Sequence, residues 1–364
     1  MAKKIRVGIL FGGRSCEHEV SVTSARSVLA AIDRDQYDIT MIGIDKTGHW
    51  LKAGDALKVL ATNTVVGDDL LPVVLNHTDG GLMTSDGAPM SDGQLDVVLP
   101  LLHGPYGEDG TVQGLLELAG TAYVGCGVLG SAVGMDKEMM KRVFRAEGLP
   151  QLDYSAVRRR RWHQDRAAVQ AQVEAQLDYP LFFKPANLGS SVGVCKAHGP
   201  EEFAACMDEA AAYDQKIIIE ATAIDCREIE CAILGNDNPQ ASVLGEVIPS
   251  NEFYDYSAKY VDNNSQLIIP AQLPPETTAS VQALAIKAFQ AIDAAGLSRV
   301  DFFVGKTDNQ IYLNEINTLP GFTPISMYPK LWAASGLEYG ALIDRLIQLA
   351  LERHSERQDI RSVL

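Results

Sequence analysis

The chain has no cysteine pair at C-x-x-C spacing, no apolar run of membrane-spanning length, no internal repeat, no low-complexity tract and no excess of positive charge. Each absence removes a class of protein. The six cysteines, Cys16, Cys126, Cys195, Cys206, Cys226 and Cys231, stand without zinc-ligand spacing. Scattered in this way they predict reduced thiols in a reducing compartment. Cys16 lies in a loop that opens a helix, where thiol acidity rises, but it is read as an ordinary loop thiol. No stretch approaches the ~20 apolar residues of a membrane helix. Met1 to Lys4 passes into a short strand without the apolar core of a signal peptide, so the expected compartment is the cytoplasm. With 31 Lys and Arg against 47 Asp and Glu, the net charge of −16 argues against a nucleic-acid or anionic-membrane partner, either of which needs a basic footprint. The longest basic run, Arg158 to Arg161, precedes Trp162, His163 and Gln164 and reads as a solvated face or linker. The order GxxxxGK[ST] is missing as well, so any bound phosphate must be held by local lysines and backbone amides.

What is present is an ordinary globular composition, 46% hydrophobic and 21% charged over 364 residues, enough for about two or three domains. Residues 1–133 alternate short apolar strands with helical stretches: Ile5 to Leu10, the helix Ser21 to Ile32, Asp38 to Ile44, then Val97 to Leu102 followed by a helix from Thr111. That alternation predicts a parallel sheet whose ligands gather at the carboxyl ends of its strands. Two glycine-bearing loops stand at such ends, Gly12 to Glu19 and His103 to Gly110. A third, Gly125 to Gly130, matches the dinucleotide fingerprint but has no well-placed acid after the next strand, so it reads as a linker. Residues 134–224 form a second unit, in which Asp136 opens a helix and a strand ending at Lys184 and Pro185 leads into the small-residue loop Asn187 to Val194. The third unit, residues 225–364, closes with a helix and an acid-and-base tail.

The third unit also carries the chain's most informative pattern. Arg299 to Val304 and Ile311 to Asn317 are rich in β-branched and aromatic residues around the turn-forming Gly305 to Gln310, which predicts an antiparallel hairpin. A turn centred near Asp308 sets Asp301 opposite Glu315, and strand alternation puts Asn317 on the same face as Glu315. Two carboxylates and an amide oxygen, without His or Cys, suit Mg²⁺. A buried face cannot hold two uncompensated carboxylates, so a divalent ion, Arg299 or both must balance them. Magnesium in turn points to ATP. Lys184 with Gly189 to Gly193 offers a point charge beside exposed amides and hydroxyls, an anion site by its chemistry, and Lys137 lies at the start of a helix. The strand Lys216 to Ala221 runs into an irregular connection where free backbone groups can read an adenine edge, and Glu228 is placed to accept from ribose hydroxyls.

The segments FGGRSCEHEVSVTSA from Phe11, LHGPYGEDGTVQGLLELAG from Leu102, MDK from Met135, FKPANLGSSVGV from Phe183, REIECAILG from Arg227, FYDYSAKY from Phe253, RVDFF from Arg299 and NEINTLPGFTPIS from Asn314 stand in this order along essentially the whole chain. With them the sequence resembles the ATP-grasp superfamily and, within it, the D-alanine:D-alanine ligase family of bacterial wall synthesis. The resemblance implies an α/β ATP-grasp fold of three α/β domains. These are an N-terminal Rossmann-like domain over residues 1–133, a central subdomain over 134–224 and a C-terminal subdomain over 225–364 with a lid at about 246–269. It implies ATP gripped between the second and third domains, with Lys137, Lys184 and Ser191 on the phosphates, Glu220 and Ala223 near adenine, Glu228 on ribose, and Asn314 at the same site. Asp301, Glu315 and Asn317 would hold two Mg²⁺, with Mn²⁺ as a substitute.

For the amino-acid substrates the resemblance assigns Glu17 to the first ammonium, with Ser190 and Tyr260 hydrogen-bonded around it, and His103 nearby. Arg299 and the backbone of Gly321 would stabilise the oxyanion, and Ser326 would bind the second carboxylate. The lid carries Phe253, Tyr254, Tyr256 and Tyr260, suited to excluding water from an acyl phosphate, and Lys259 with Tyr260 bears on the choice of an amine over a hydroxyl nucleophile. Two places depart from the family's usual pattern: Ala221 stands where a lysine is common and Cys226 where a glycine is. The implied partners are D-alanine, ATP and a second copy of the chain in a homodimer, with no nucleic acid and no membrane. Three other readings stay open: a D-alanine:D-lactate ligase, another ATP-grasp carboxylate–amine ligase, and a non-catalytic nucleotide-sensing module.

Overall fold

A computed structural model of the chain describes residues 3–54, 56–67, 70–248 and 266–360. The strands fall into three sheets of seven, four and five strands. The first contains β1 (Ile5–Gly12), β2 (Tyr37–Ile44), β3 (Trp50–Ala53), β4 (Leu70–Leu75), β5 (Leu82–Thr84), β6 (Val97–Pro100) and β7 (Ala122–Tyr123), in the order β5-β4-β3-β2-β1-β6-β7. Helices α1 (His18–Ala31), α2 (Ala56–Ala61), α3 (Thr111–Leu118) and α4 (Val128–Met135) connect them. β1 is central and apolar along nearly its whole length because helices cover both faces of a parallel sheet. It ends at Gly12, which has φ +89° and whose missing side chain would meet the Ile44 carbonyl oxygen at 2.3 Å, so the tight turn into α1 requires glycine.

The sheet is not wholly parallel, as the alternation had predicted. β2, β1, β6 and β7 are parallel neighbours, whereas β3, β4 and β5 continue as an antiparallel meander. The reason is local. Between β2 and β3 the Asp45 carboxylate accepts from the backbone N–H groups of Thr47, Gly48 and His49, and so short a turn cannot make the crossover that parallel pairing needs.

The second sheet, β10-β9-β11-β8, is antiparallel throughout. It contains β8 (Tyr154–Arg158), β9 (Leu181–Pro185), β10 (Cys195–Ala197) and β11 (Lys216–Ala221), with α5 (Lys137–Ala146), α6 (Arg159–Gln164), α7 (Arg166–Glu174) and α8 (Phe203–Tyr213) around it. Asp136 caps α5 by accepting from Met139 N–H at 3.0 Å. The four arginines of the basic run are exposed at the β8–α6 junction. Cys195 and Cys206 form a disulfide with Cα atoms 5.2 Å apart, which corrects the expectation of six reduced thiols. Sequence spacing did not reveal it because α8 returns across β10 only in three dimensions.

The third sheet, β14-β13-β12-β15-β16, contains β12 (Cys226–Gly235), β13 (Gln240–Ile248), β14 (Gln266–Ile268), β15 (Gly296–Gly305) and β16 (Ile311–Asn317). α9 (Pro275–Ala291) buries Val281, Ala285, Ala288 and Phe289 against it. α10 (Met327–Ala334) and α11 (Tyr339–Asp359) follow. α11 places Leu342, Ile343, Leu346 and Ile347 in the same apolar core as Val7 and Ile9 of β1, so the end of the chain completes the core of its beginning. Arg353 of α11 donates to the carbonyls of Gly125 and Tyr123 and lies over the Tyr123 ring. This ties the fingerprint-like glycine loop to α11. Among the described residues no helix is long and apolar enough to cross a membrane.

In the core of the second sheet Phe203 is fully buried, edge-on to Phe183 at 5.0 Å and 5.9 Å from Trp162. Phe203→Ala is expected to cost about 3–5 kcal/mol, read as a lowered guanidinium midpoint at unchanged slope.

Candidate active site

The three sheets face one cleft of about 360 Å³. Every site residue expected from the sequence and lying among the described positions lines it, from Glu17 on the first sheet to Ser326 before α10. Tyr260 and Lys259, with Phe253, Tyr254 and Tyr256 of the expected lid, lie outside the described residues.

At the hairpin the register pairs Asp301 with Glu315 and Arg299 with Asn317. A bulge follows Asp301, where Asn314 of β16 is left between the Asp301–Glu315 and Phe302–Leu313 pairs. On the other side β12 sets Glu230 opposite Asp301, so three carboxylates stand abreast on three neighbouring strands. Arg299 balances two of them: it forks onto Asp301 with two bonds of 2.7 Å and reaches Glu230 at 3.1 Å. Burial opposes its charge, but Asp301 and Glu230 outweigh that and hold the guanidinium well above its ordinary value. Asn317 donates to Asp301 at 3.0 Å, and Glu315 is 3.5 Å from Lys137. Among the described residues no three His, Cys, Asp or Glu side chains are grouped as a metal site. Asp301, Glu315 and the Asn317 amide are nonetheless a hard oxygen set beside an anion-binding wall, and that composition fits Mg²⁺, which completes its shell with water and phosphate.

The opposite wall is cationic. Lys137, at the first turn of α5, donates to the Leu188 carbonyl at 2.8 Å. Lys184 of β9 is 2.5 Å from one Glu220 oxygen, and Lys141 of α5 is 2.5 Å from the other. Burial pushes the Glu220 carboxyl up, but Lys141 and Lys184 overcome it and bring it down to about 2. Burial likewise works against the Lys184 ammonium, and Glu220 more than restores it, raising its value. Between β9 and β10, Ser190 and Ser191 both adopt left-handed backbone, φ +50° and +58°, a conformation that serine holds only when its surroundings impose it. Ala223 and Glu228 line the cleft beyond Glu220.

At the third corner Glu17 precedes α1, is 6% exposed, and accepts a short hydrogen bond from Ser190 Oγ. That bond joins the first sheet's loop to the second sheet's loop. Burial lowers His103 below its ordinary value, with Glu17 opposing, so the ring is neutral at pH 7. Among the described residues its Nε2 has no hydrogen-bond partner, which leaves it available to a ligand. Gly321 faces Ser326 so closely that an added Cβ would lie 2.8 Å from Ser326 Oγ. Ser326 Oγ in turn accepts from Thr323 N–H at 3.0 Å.

Glu230 and Glu108 line the cleft and Lys141 lies buried behind its wall, although none of the three is among the residues expected from the sequence. Signals existed for two of them: Lys141 is one helical turn after Lys137, and Glu230 is two residues after Glu228 on a strand. Glu108 had none, because its role depends on burial. It accepts from Gly104 N–H at 2.6 Å, and burial together with the nearby Glu17 pushes its carboxyl up to about 8. A carboxyl raised in this way favours folding fully below its unfolded value of 4.5 and loses that advantage as pH rises to about 8. The Tm of the wild type minus that of Glu108→Gln is therefore expected to fall between those pH values and to level off above them.

Known proteins are similar to this chain over nearly its full length. The model of the D-ala D-ala ligase N-terminus matches residues 6–126, and that of the D-ala D-ala ligase C-terminus matches residues 143–348. The D-alanine–D-alanine ligase of Ruminiclostridium cellulolyticum is 50% identical over 368 residues, covering 98% of this chain and 97% of its own. That of Chloroherpeton thalassium is 50% identical over 361 residues, covering 98% of each. Among solved structures, the D-alanine-D-alanine ligase from Coxiella burnetii superposes with TM-score 0.84 at 36% identity, covering 98% of this chain and 97% of that one. The VanG D-Ala:D-Ser ligase from Enterococcus faecalis superposes with TM-score 0.86 at 34% identity, covering 96% and 100%. The chain belongs to the D-alanine–D-alanine ligase family and has its ATP-grasp fold.

Proposed function

We propose that this cleft joins two D-alanine molecules into D-alanyl-D-alanine while splitting ATP to ADP and phosphate, as a step of peptidoglycan precursor synthesis. The observation that carries the reading is a single cleft lined by a lysine wall for phosphates, a hard oxygen set on the hairpin, and the buried Glu17 with Ser190 for an amino acid.

A carboxylate is a poor acyl donor, so amide formation in water needs activation. In the reading, Glu17 receives the ammonium of the first D-alanine, with Ser190 and Tyr260 around it and the neutral His103 beside it. A carboxylate oxygen attacks the γ-phosphorus, the bond to ADP breaks, and D-alanyl phosphate forms. Lys137, Lys184, Ser191 and the loop amides hold the phosphates, Glu220 and Ala223 meet adenine, Glu228 meets ribose, and Asn314 lies at their border. Asp301, Glu315 and Asn317 would hold two Mg²⁺, or Mn²⁺, which when bound offset phosphate charge. The amine of the second D-alanine then attacks the carbonyl carbon. The C–N bond forms as the carbonyl electrons move onto oxygen, where Arg299 and the Gly321 N–H receive them. Collapse breaks the bond to phosphate, and the leaving phosphate carries off the proton that the nitrogen loses. Ser326 binds the second carboxylate, and Lys259 with Tyr260 shapes the choice of nucleophile.

The same reading places the enzyme in the cytoplasm as a homodimer, without nucleic-acid or membrane partners. Its net charge of −16 supports the exclusion of polyanions, and the exposed Leu118 and Leu129 on neighbouring helices α3 and α4 offer apolar surface for self-association. Three protein units, residues 1–133, 134–224 and 225–364, are the proposed domains.

The primary test is ADP release with D-alanine, L-alanine, D-serine and D-lactate, with and without magnesium. Only D-alanine with magnesium is expected to give full turnover and dipeptide, and ester from D-lactate as the main product would overturn the reading. Arg299→Met is expected to lower kcat by about 10²–10³, as loss of an oxyanion donor does elsewhere. Glu17→Gln removes one charge-assisted hydrogen bond and should lower kcat/KM for D-alanine by roughly tenfold to a hundredfold.

A further inference from the structure

One fully buried cation behind the nucleotide end of the cleft has no part in the proposed mechanism. Lys141 is 2% exposed and does not line the cleft. Its ammonium is 2.5 Å from Glu220 Oε1, 3.5 Å from the Asn314 carbonyl oxygen and 5.7 Å from the centre of the Tyr154 ring. The other Glu220 oxygen is 2.5 Å from Lys184, which does line the cleft. One carboxylate thus joins two lysines, the first sealed inside the wall and the second facing the ligand.

The charge count of this triad matters in a low-dielectric wall. Glu220 with Lys184 alone is a neutral pair that offers an anionic ligand nothing. Lys184 also feels Glu315 and Glu228, which add to the negative charge on its side of the wall. Lys141 brings the triad to one net positive charge, and the only member able to present that charge to the cleft is Lys184. Burying an ammonium with no function is costly, and the 2.5 Å contact fixes which group it serves.

We infer that Lys141 is a positioning residue for nucleotide binding: it neutralises Glu220 from behind and so leaves the charge of Lys184 to the ligand's phosphates, without itself touching the ligand. The inference rests on the reading of this end of the cleft as a nucleotide site. It predicts a dependence on ligand charge that a purely structural lysine would not produce.

The experiment is titration calorimetry of the full chain with adenosine, ADP and ATP in magnesium buffer, for wild type, Lys141→Met and the double variant Lys141→Met/Glu220→Gln. Lys141→Met is expected to weaken ATP about tenfold or more, one decade of Kd for one lost charge contact, to weaken ADP less, and to change adenosine less than about twofold. The double variant has no unpaired buried carboxylate, keeps the Lys184 charge, and is expected to restore the ATP-to-adenosine affinity ratio to within about threefold of wild type. It also answers the question if the single variant does not fold. Equal weakening of all three ligands, unchanged ATP affinity in Lys141→Met, or a double variant whose ratio stays collapsed would overturn the inference. A wild-type chain that binds none of the three ligands would instead sink the nucleotide reading, and this inference with it.

Discussion

Like charges in a space poor in water dictate the construction of the cleft. Glu230, Asp301 and Glu315 stand side by side because β12, β15 and β16 are hydrogen-bonded in that register, and such a row cannot remain ionised unless cations are brought to it. Arg299 comes from the same face of β15, two residues before Asp301, and Lys137 comes from a different unit on α5. At the far wall the same rule produces Glu220 between two lysines. Each acid in these groups has a basic partner within 3.5 Å, so these four carboxylates are paired without a ligand.

These contacts also hold the three sheets together. Ser190 donates to Glu17, linking the second sheet's loop to the first sheet's helix start. Lys137 reaches Glu315, linking the second unit to the third. Arg353 grips the Gly125 and Tyr123 carbonyls, and α11 fills the core under β1, linking the third back to the first. The ring closes through polar contacts at the cleft and through apolar packing away from it. Apolar burial supplies non-directional stability, whereas the polar contacts at the cleft fix where each charge points. Ser190 and Ser191 hold left-handed backbone at the first of these links, and strain of that kind persists at positions that the surrounding structure over-determines.

Local features were legible in the residues alone. Alternation along two β-rich segments and the turn between them set Asp301 against Glu315, and the structure has that pair. Asp136 before an amphipathic stretch gave the capped start of α5, and glycine at position 12 gave a turn that no other residue could make. Expectations that needed a partner distant in the chain went differently. The antiparallel extension of the first sheet follows from a tight turn whose hydrogen bonds are invisible in hydrophobic periodicity. Cys195 and Cys206 meet because a helix folds back over a strand.

Tertiary structure alone decided the electrostatics. Whether Lys141 is a surface lysine or the buried partner of Glu220, whether Glu108 is charged, and whether Glu230 joins the acids of the hairpin depend on burial and on neighbours from other sheets. A residue's type states what charge it can carry. Its surroundings, which the chain acquires only on folding, decide at what pH it carries that charge and what it attracts, because Coulomb energy depends on separation and on how much water lies between.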